Sequence, residues 1–189
     1  MGGRGAAFES KGYSSAIKAA EKKIYKDKVE TAVLLDNKGN TIFTESSGAT
    51  NVVQFTTEQL AKMKGANLTH NHPRGSTFSP EDVAVLTAHG LNSIRATGKE
   101  RTYQLSVIKN IAQNKNFAQD YQGAMKENKK VTDRLYRKYE KQYNSGKISY
   151  TEFQSKIPEL NKQLNSLHSD WLKKNANKYG YKYSVIERK

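Results

Sequence analysis

The sequence predicts an α+β domain with a long helical hairpin inserted before its last strand. Three observations predict this fold class. Short apolar runs with strand spacing alternate with segments of helical spacing over residues 14–108. Residues 113–178 carry apolar side chains at steps of three and four, which is typical of long paired helices. Residues 179–186 alternate polar and apolar side chains and return to strand spacing.

The composition excludes several classes of protein. The chain has 189 residues and no cysteine, which excludes disulfides, Cys-ligated zinc and thiol nucleophiles. No apolar run approaches the length of about 18 residues that a membrane span requires. The first ten residues lack the apolar core of a secretory signal. We therefore expect a cytoplasmic protein that does not contact a membrane.

The positive charge is concentrated in the second half of the chain. Residues 1–108 contain 14 Lys and Arg against 10 Asp and Glu, whereas residues 109–189 contain 18 against 8. Such an excess favours nucleic acid or an acidic partner, although a solvated Lys-rich helical surface has the same composition. Charge alone leaves both interpretations open.

The first half combines a Gly-rich N-terminus, expected to be disordered over 1–13, with a compact domain over 14–112. Residues 30–35 predict a buried strand because an apolar run follows Glu30, and residues 36–40 have the composition of a turn. Ser79 followed by Pro80 and two acidic residues predicts a helix start. The predicted elements are, in order, a helix over 14–27, strands over 30–35 and 41–45, an extended piece over 51–55, a helix from Thr56 or Thr57 to 64, a strand over 66–70, a helix over 80–89, and strands over 93–97 and 102–108.

The second half predicts a basic helical hairpin over 113–178. Residues 144–146 interrupt the helical pattern, and Ser149 with Glu152 forms a capping-box signature for the second helix. Pro158 lies inside that helix and predicts a kink or a restart. We expect residues 179–189 to return to the sheet beside the 102–108 strand. Apolar positions with helical spacing are Val131, Leu135, Tyr139 and Tyr143 in the first helix, and Phe153, Ile157, Leu160, Leu164, Leu167 and Trp171 in the second.

The residues that indicate chemistry cluster around the 66–70 strand. His70 and His72 are two residues apart in an extended segment, so both imidazoles can point to one metal ion. Asp82, in the first turn of the next helix, can supply an oxygen ligand. Two His and one carboxylate leave a fourth zinc position open for water, as in catalytic sites. Such a site also needs a general base, for which Glu30 is the candidate.

Two further polar residues, Ser79 and His89, admit two interpretations each. Ser79 can donate to a developing oxyanion or serve as the helix cap, and the two roles compete for one hydroxyl. His89 can support a ligand from the same helix face as Asp82 or simply pack. His168 is expected on the surface of the hairpin.

These residues together resemble the signature of the JAB/JAMM metalloprotease family, a Glu followed by HxHP and SxxD. The HNHP motif is similar to that of the RadC-type branch of the family. Its combination with the preceding apolar strand and DNKGN turn is similar to the JAB-like domains of phage and mobile-element proteins. The resemblance covers about residues 28–108. It implies a mixed sheet flanked by helices, with Zn²⁺ bound by His70, His72 and Asp82. It further implies Glu30 as general base and Ser79 as oxyanion stabiliser. The family usually has seven residues between the second His and the Ser, and here residues 73–78 make six.

Two functions remain open from the sequence. The first is a zinc-dependent peptidase or isopeptidase, a phage or mobile-element accessory protein acting on a protein or ubiquitin-like substrate in the bacterial cytoplasm. The second is an inactive JAB-like binding module whose basic residues 109–189 contact nucleic acid or a host protein. The tyrosines at positions 121, 136, 139, 143 and 150 favour the second because aromatic rings stack on bases.

Overall fold

The computed structural model describes residues 11–108 and 116–188, which form an α+β fold. Within this part of the chain, five α-helices surround one six-stranded mixed sheet. The elements are, in order, α1 Lys11–Ile24, β1 Thr31–Leu35, β2 Thr41–Ser46, α2 Thr57–Ala61, β3 Asn67–Asn71, α3 Pro80–Ala88, β4 Ser93–Thr97, β5 Arg101–Val107, α4 Asn116–Asn144, α5 Tyr150–Asn175, a 3-10 helix Ala176–Tyr179, and β6 Tyr181–Glu187.

The sheet has the strand order β2-β1-β3-β4-β5-β6. Only β3 and β4 pair in parallel, and the other four described pairs are antiparallel. The last strand, β6, pairs with β5 from Val107↔Tyr181 to Arg101↔Glu187. The predicted return of the C-terminal segment to the sheet is therefore confirmed.

Strand β1 is buried on both faces because the sheet lies between two helical layers. Its residues Ala32 and Leu34 join the large core beneath α3, α4 and α5, whereas Val33 and Leu35 pack against α1. This explains why its sequence is continuously apolar instead of alternating. The catalytic candidates lie on the face that carries the large core.

The helical hairpin joins the same core as the sheet. Phe117 and Tyr121 of α4 and Leu172 of α5 are fully buried, and they belong to the core cluster that contains residues of β1, β3, β4 and β5. Phe117 stacks on Tyr179 with ring centroids 4.5 Å apart. The base of the hairpin is consequently packed against the sheet, and only its far end extends away.

Several predicted boundaries and one predicted segment differ from the structure. Residues 11–13 are helical and Tyr13 is 3% exposed, so the disordered segment predicted over 1–13 is wrong there, while residues 1–10 lie outside the described part. Residues 51–55 form no strand. Helix α5 continues through Pro158, so of the two alternatives predicted there, a kink or a restart, the restart is wrong. The predicted junction at 112/113 also lies outside the described residues.

The apolar pattern predicted for α4 is partly displaced. Val131 is 42% exposed, while the neighbouring Thr132 is buried. Leu135 and Tyr139 are half-buried, as the predicted pattern requires, whereas Tyr143 is 38% exposed. The predicted pattern is therefore confirmed at Leu135 and Tyr139 and wrong at Val131 and Tyr143.

Candidate metal centre

The two histidines of the HxH pair lie side by side at the end of β3. His70 sits opposite Ala32 of β1 and Ala96 of β4, and His72 follows Asn71, the last residue of the strand. Both side chains are buried, and their Nε2 atoms are 2.9 Å apart. The prediction that both imidazoles share one face of the strand is confirmed. Each ring presents Nε2 to the same point.

Asp82 reaches that point from the first turn of α3. Ser79 is the N-cap, and its Oγ accepts a hydrogen bond from the Asp82 backbone N–H at 3.1 Å. In return, Oδ2 of Asp82 accepts from the Ser79 backbone N–H at 2.7 Å. This capping box leaves Oδ1 of Asp82 3.1 Å from Nε2 of His70, while its Oδ2 is 3.5 Å from Nε2 of His72. Residues 73–78 therefore form a loop long enough to bring both helix residues to the histidines.

The spacing of these three side chains fits a zinc ion. Among the described residues, His70, His72 and Asp82 form a group whose ligand atoms lie within 4.8 Å of one another and could hold a metal ion. Ligands of tetrahedral zinc lie about 3.3 Å apart, because Zn–N and Zn–O bonds are about 2.0–2.1 Å long. Separations near that value are 2.9 Å between the two Nε2 atoms, 3.1 Å from Nε2 of His70 to Oδ1 of Asp82, and 3.5 Å from Nε2 of His72 to Oδ2, the other oxygen of Asp82.

The hydrogen bond made by the His72 ring also suits a metal ligand. Its Nδ1 lies 2.9 Å from the backbone carbonyl oxygen of Ser76. Because a carbonyl can only accept, Nδ1 donates, and the neutral ring then keeps a free lone pair on Nε2. The Nδ1 of His70, in contrast, is buried without a hydrogen-bond partner in the described part of the chain. The orientation of His70 therefore depends on packing and on what its Nε2 binds.

The electrostatics of the group favour a cation. Burial raises the pKa of Asp82, but the charges and hydrogen bonds of His70 and His72 outweigh it and hold that pKa well below its ordinary value. Burial lowers the pKa of His72, and its hydrogen bond and charge interaction with Asp82 reverse the direction, so the pKa is raised. Asp82 therefore favours a positive charge at this point, which a proton on His72 or a bound metal cation can supply.

Glu30 lies beside the three candidate ligands. It directly precedes β1, and its Oε1 is 3.9 Å from Nε2 of His72. Its side chain is 11% exposed. Burial raises the pKa of Glu30, against the opposing charges of His72 and His70. A carboxylate in this position is close enough to exchange a proton with a water molecule in the site.

Ser79 acts as the helix cap in this structure. Its hydroxyl donates to Oδ2 of Asp82 at 2.8 Å while accepting from the Asp82 N–H. Of the two competing roles, the geometry shows capping, and through it Ser79 orients a candidate ligand. The oxyanion role stays a prediction.

An open cavity of about 1240 Å³ connects the candidate ligands to the surface. The segment over 50–55 lines it together with α3 and α5. The residues of α5 at this cavity are Pro158, Asn161, Lys162, Leu164, Asn165 and His168. No sequence pattern indicated this contribution, because α5 reaches the site only through the tertiary fold.

Two further histidines, His168 and His89, lie outside the metal-ligand group. His168 is 8% exposed, so its predicted surface position is wrong: it packs against Tyr121, with ring centroids 6.4 Å apart. Burial lowers the pKa of His168. His89 ends α3 as its C-cap, about 10 Å along the helix axis from Asp82, and it is not part of the metal-ligand group.

The aromatic residues of the hairpin fall into two sets. Tyr121 is fully buried and donates to the Phe78 carbonyl, so it is unavailable for stacking on bases. Tyr136 and Tyr143 are each 38% exposed and Tyr150 is 59% exposed.

In the described part of the chain, no helix has the combination of length and apolar character that crossing a membrane demands.

Comparisons with known proteins identify no relative of this chain. The sequence matches no protein-family model, and searches among curated proteins and among solved structures return no match either. The functional argument for this chain therefore rests on its own residues and on their geometry.

Proposed function

We propose that this chain is a zinc-dependent peptidase or isopeptidase of the JAB/JAMM type. The observation that carries the proposal is the convergence of His70, His72 and Asp82 at one point, with Glu30 3.9 Å from His72. His70, His72 and Asp82 would hold the zinc ion. When bound at such a site, zinc supplies Lewis-acid polarisation and lowers the pKa of a water molecule to about 7.

Glu30 serves as the proton carrier of the proposed reaction. As the water oxygen attacks the amide carbonyl carbon, the Glu30 carboxylate takes the proton that the water loses. It then gives this proton to the amide nitrogen as the C–N bond breaks, so that a carboxylic acid and an amine result. The raised pKa of Glu30, which burial causes, brings its two protonation states closer to equal population near neutral pH.

The substrate that we propose is a polypeptide or a ubiquitin-like protein. The cavity is open to the surface, and the 50–55 segment and α5 both line it. An extended chain could lie in it with its scissile amide at the histidines. We further propose that the protein works in the bacterial cytoplasm as an accessory factor of a phage or mobile element, a role suggested only by the JAB-like resemblance.

The first test is the metal content of the full chain. We expect about one zinc per chain by mass spectrometry, its loss in His72→Ala, and its retention in the matched variant His89→Ala. An absence of zinc in the wild-type chain, even after zinc is added back, would exclude the hydrolase.

The second test separates metal binding from catalysis. Glu30→Gln should keep its zinc and lose hydrolysis of casein or isopeptide-linked diubiquitin by at least about 100-fold, because the general base is removed. Glu81→Gln is the control, since Glu81 lines the same cavity but is not part of the ligand group. Equal activities of Glu30→Gln and wild type would contradict the role of Glu30.

A second candidate function is an inactive JAB-like module that binds nucleic acid through the hairpin. The observation that favours it is the exposed aromatic group at the far end, where Tyr143 lies 5.9 Å from Tyr150 and stacks on Phe153 at 5.5 Å. Binding of a single-stranded oligonucleotide that weakens steeply with salt and is lost in Tyr150→Ala would support it. No binding at low salt would exclude it.

A further inference from the structure

The loop over 73–78 fixes the distance between the histidine ligands and the helix that carries Asp82. Two of its backbone groups are bonded by the helical hairpin. The Thr77 N–H donates to Oδ1 of Asn165 at 2.6 Å, and the Phe78 carbonyl accepts from the Tyr121 hydroxyl at 2.8 Å. These partners are 88 and 43 residues away in sequence. The hairpin therefore supplies hydrogen bonds that the loop needs at the core boundary.

Asn165 connects this loop to the sheet as well. Its Nδ2 donates to the Tyr103 hydroxyl of β5 at 2.8 Å, and that hydroxyl lies 3.5 Å from the Gly75 carbonyl. An amide accepts with one end and donates with the other, which suits a bridge between an N–H and a hydroxyl. One side chain of α5 thus ties the middle and the end of the loop to β5.

A second series of hydrogen bonds connects Thr77 to α5 through Tyr183. The Thr77 Oγ1 lies 3.1 Å from the Tyr183 hydroxyl of β6, which is in turn 2.8 Å from Oγ of Ser169 in α5. Thr77 is 3% exposed. Because the backbone and side chain of Thr77 are both held from α5, movement of α5 shifts the residue that stands two positions before Ser79.

We propose that Asn165 is a positioning residue of the metal site. By holding Thr77, it sets where Ser79 and Asp82 stand relative to His70 and His72. This inference rests on the proposed function. It means that the hairpin both lines the cavity beside the metal site and positions the loop that connects the candidate ligands. Asn165 lines the cavity, but the hydrogen bonds described for it go to Thr77 and Tyr103 and not to a candidate ligand, so it acts on the metal site through the loop.

The test compares Asn165→Leu with Gln163→Leu in the full chain. Leucine has a size similar to asparagine but cannot form either hydrogen bond of Asn165. Gln163 is an exposed residue of the same helix and is not among the described residues that line the cavity. The affinity for zinc is measured by competition with a chelator. We expect Asn165→Leu to bind zinc about 10- to 100-fold more weakly, as is usual when support of the ligands is lost. Gln163→Leu should bind zinc like the wild type.

A second readout does not depend on zinc. Hydrogen exchange of the Thr77 amide in the metal-free protein should accelerate about tenfold or more in Asn165→Leu, because its acceptor is removed. Asn165→Asp keeps an acceptor and should retain the protection. Circular dichroism verifies that each variant is folded.

The outcomes separate this inference from the proposed function. If either the zinc affinity or the Thr77 exchange is unchanged in folded Asn165→Leu, the inference is overturned while the hydrolase proposal stands. If the wild-type chain binds no zinc, the proposed function fails and the role of Asn165 in the metal site falls with it. Weaker zinc binding with faster Thr77 exchange, both present in Asn165→Leu and absent from Gln163→Leu, supports the inference.

Discussion

At the scale of single residues, Asp82 has two functions at once. Its backbone N–H and Oδ2 form the capping box with Ser79, and its Oδ1 faces His70. The helix start and the candidate metal site therefore share one carboxylate. Any change that frees Asp82 from the cap should alter both the stability of α3 and the geometry offered to a metal ion.

Ser79→Ala tests this shared role. Removal of the cap should lower the free energy of unfolding by about 1 kcal/mol. The affinity for zinc should also fall, by about tenfold or more, because Asp82 loses the hydroxyl that orients it. The measurements are urea denaturation of the metal-free protein and chelator competition.

The matched control is Ser149→Ala. Ser149 caps α5 in the same way, with its hydroxyl donating to Glu152 at 2.9 Å, but that capping box contains none of the candidate ligands. It should lose a similar amount of stability and keep its zinc affinity. Equal zinc affinities in both variants would refute the link between the cap and the metal site.

At the scale of elements, α5 retains a proline in its interior. Pro158 has no N–H, so the carbonyl of residue 154 lacks its intrahelical hydrogen bond, yet the helix continues from Tyr150 to Asn175. Packing of Phe153 and Leu160 on either side, both buried, outweighs this cost. Pro158 also lines the cavity, so its unfavourable position coincides with the part of α5 nearest the candidate site.

Replacing this proline should stabilise the protein. Pro158→Ala restores the missing N–H and should raise the free energy of unfolding by about 1–3 kcal/mol. Urea denaturation measures the change. The exposed Gln163→Ala serves as control and should change stability by less than about 0.5 kcal/mol. A Pro158→Ala variant no more stable than the control would indicate that α5 is already adapted to the proline.

At the scale of the whole molecule, the sheet and the hairpin share one core. Trp171 of α5 packs against Phe117 and Tyr121, which belong to the same cluster as the sheet residues. On the opposite face, α1 is held by Glu21, whose Oε1 is 2.5 Å from Nε of the buried Arg95 in β4. All three layers therefore depend on one another, which predicts a single unfolding transition.

Zinc should stabilise this unit as a whole. At a free concentration of about 100 times its Kd, zinc should add about 2.7 kcal/mol to the free energy of unfolding. The far-UV circular dichroism, dominated by the hairpin, and the fluorescence of Trp171 should shift together on heating. Two separate transitions, with zinc moving only one of them, would show that the hairpin unfolds independently of the metal site.

The sequence predicted most of the elements and the three candidate ligands because their signals are local. A two-residue period places His70 and His72 on one face, and Ser79 with Pro80 defines where α3 begins. The parts that it could not predict depend on distant contacts. His168 was predicted at the surface because nothing near it in sequence shows that Tyr121 covers it. Likewise, the 88 residues between Thr77 and Asn165 carry no pattern that pairs them.

The contact between the Tyr183 hydroxyl and Thr77 joins residues that the ribosome synthesises at different times. Translation produces His70, His72 and Asp82 before β4, β5 and β6 have been synthesised. The loop between them gains its contact from β6 only after residue 183 has left the ribosome. The ligands of the candidate site are thus synthesised about 100 residues before the Tyr183 hydroxyl that contacts the loop between them.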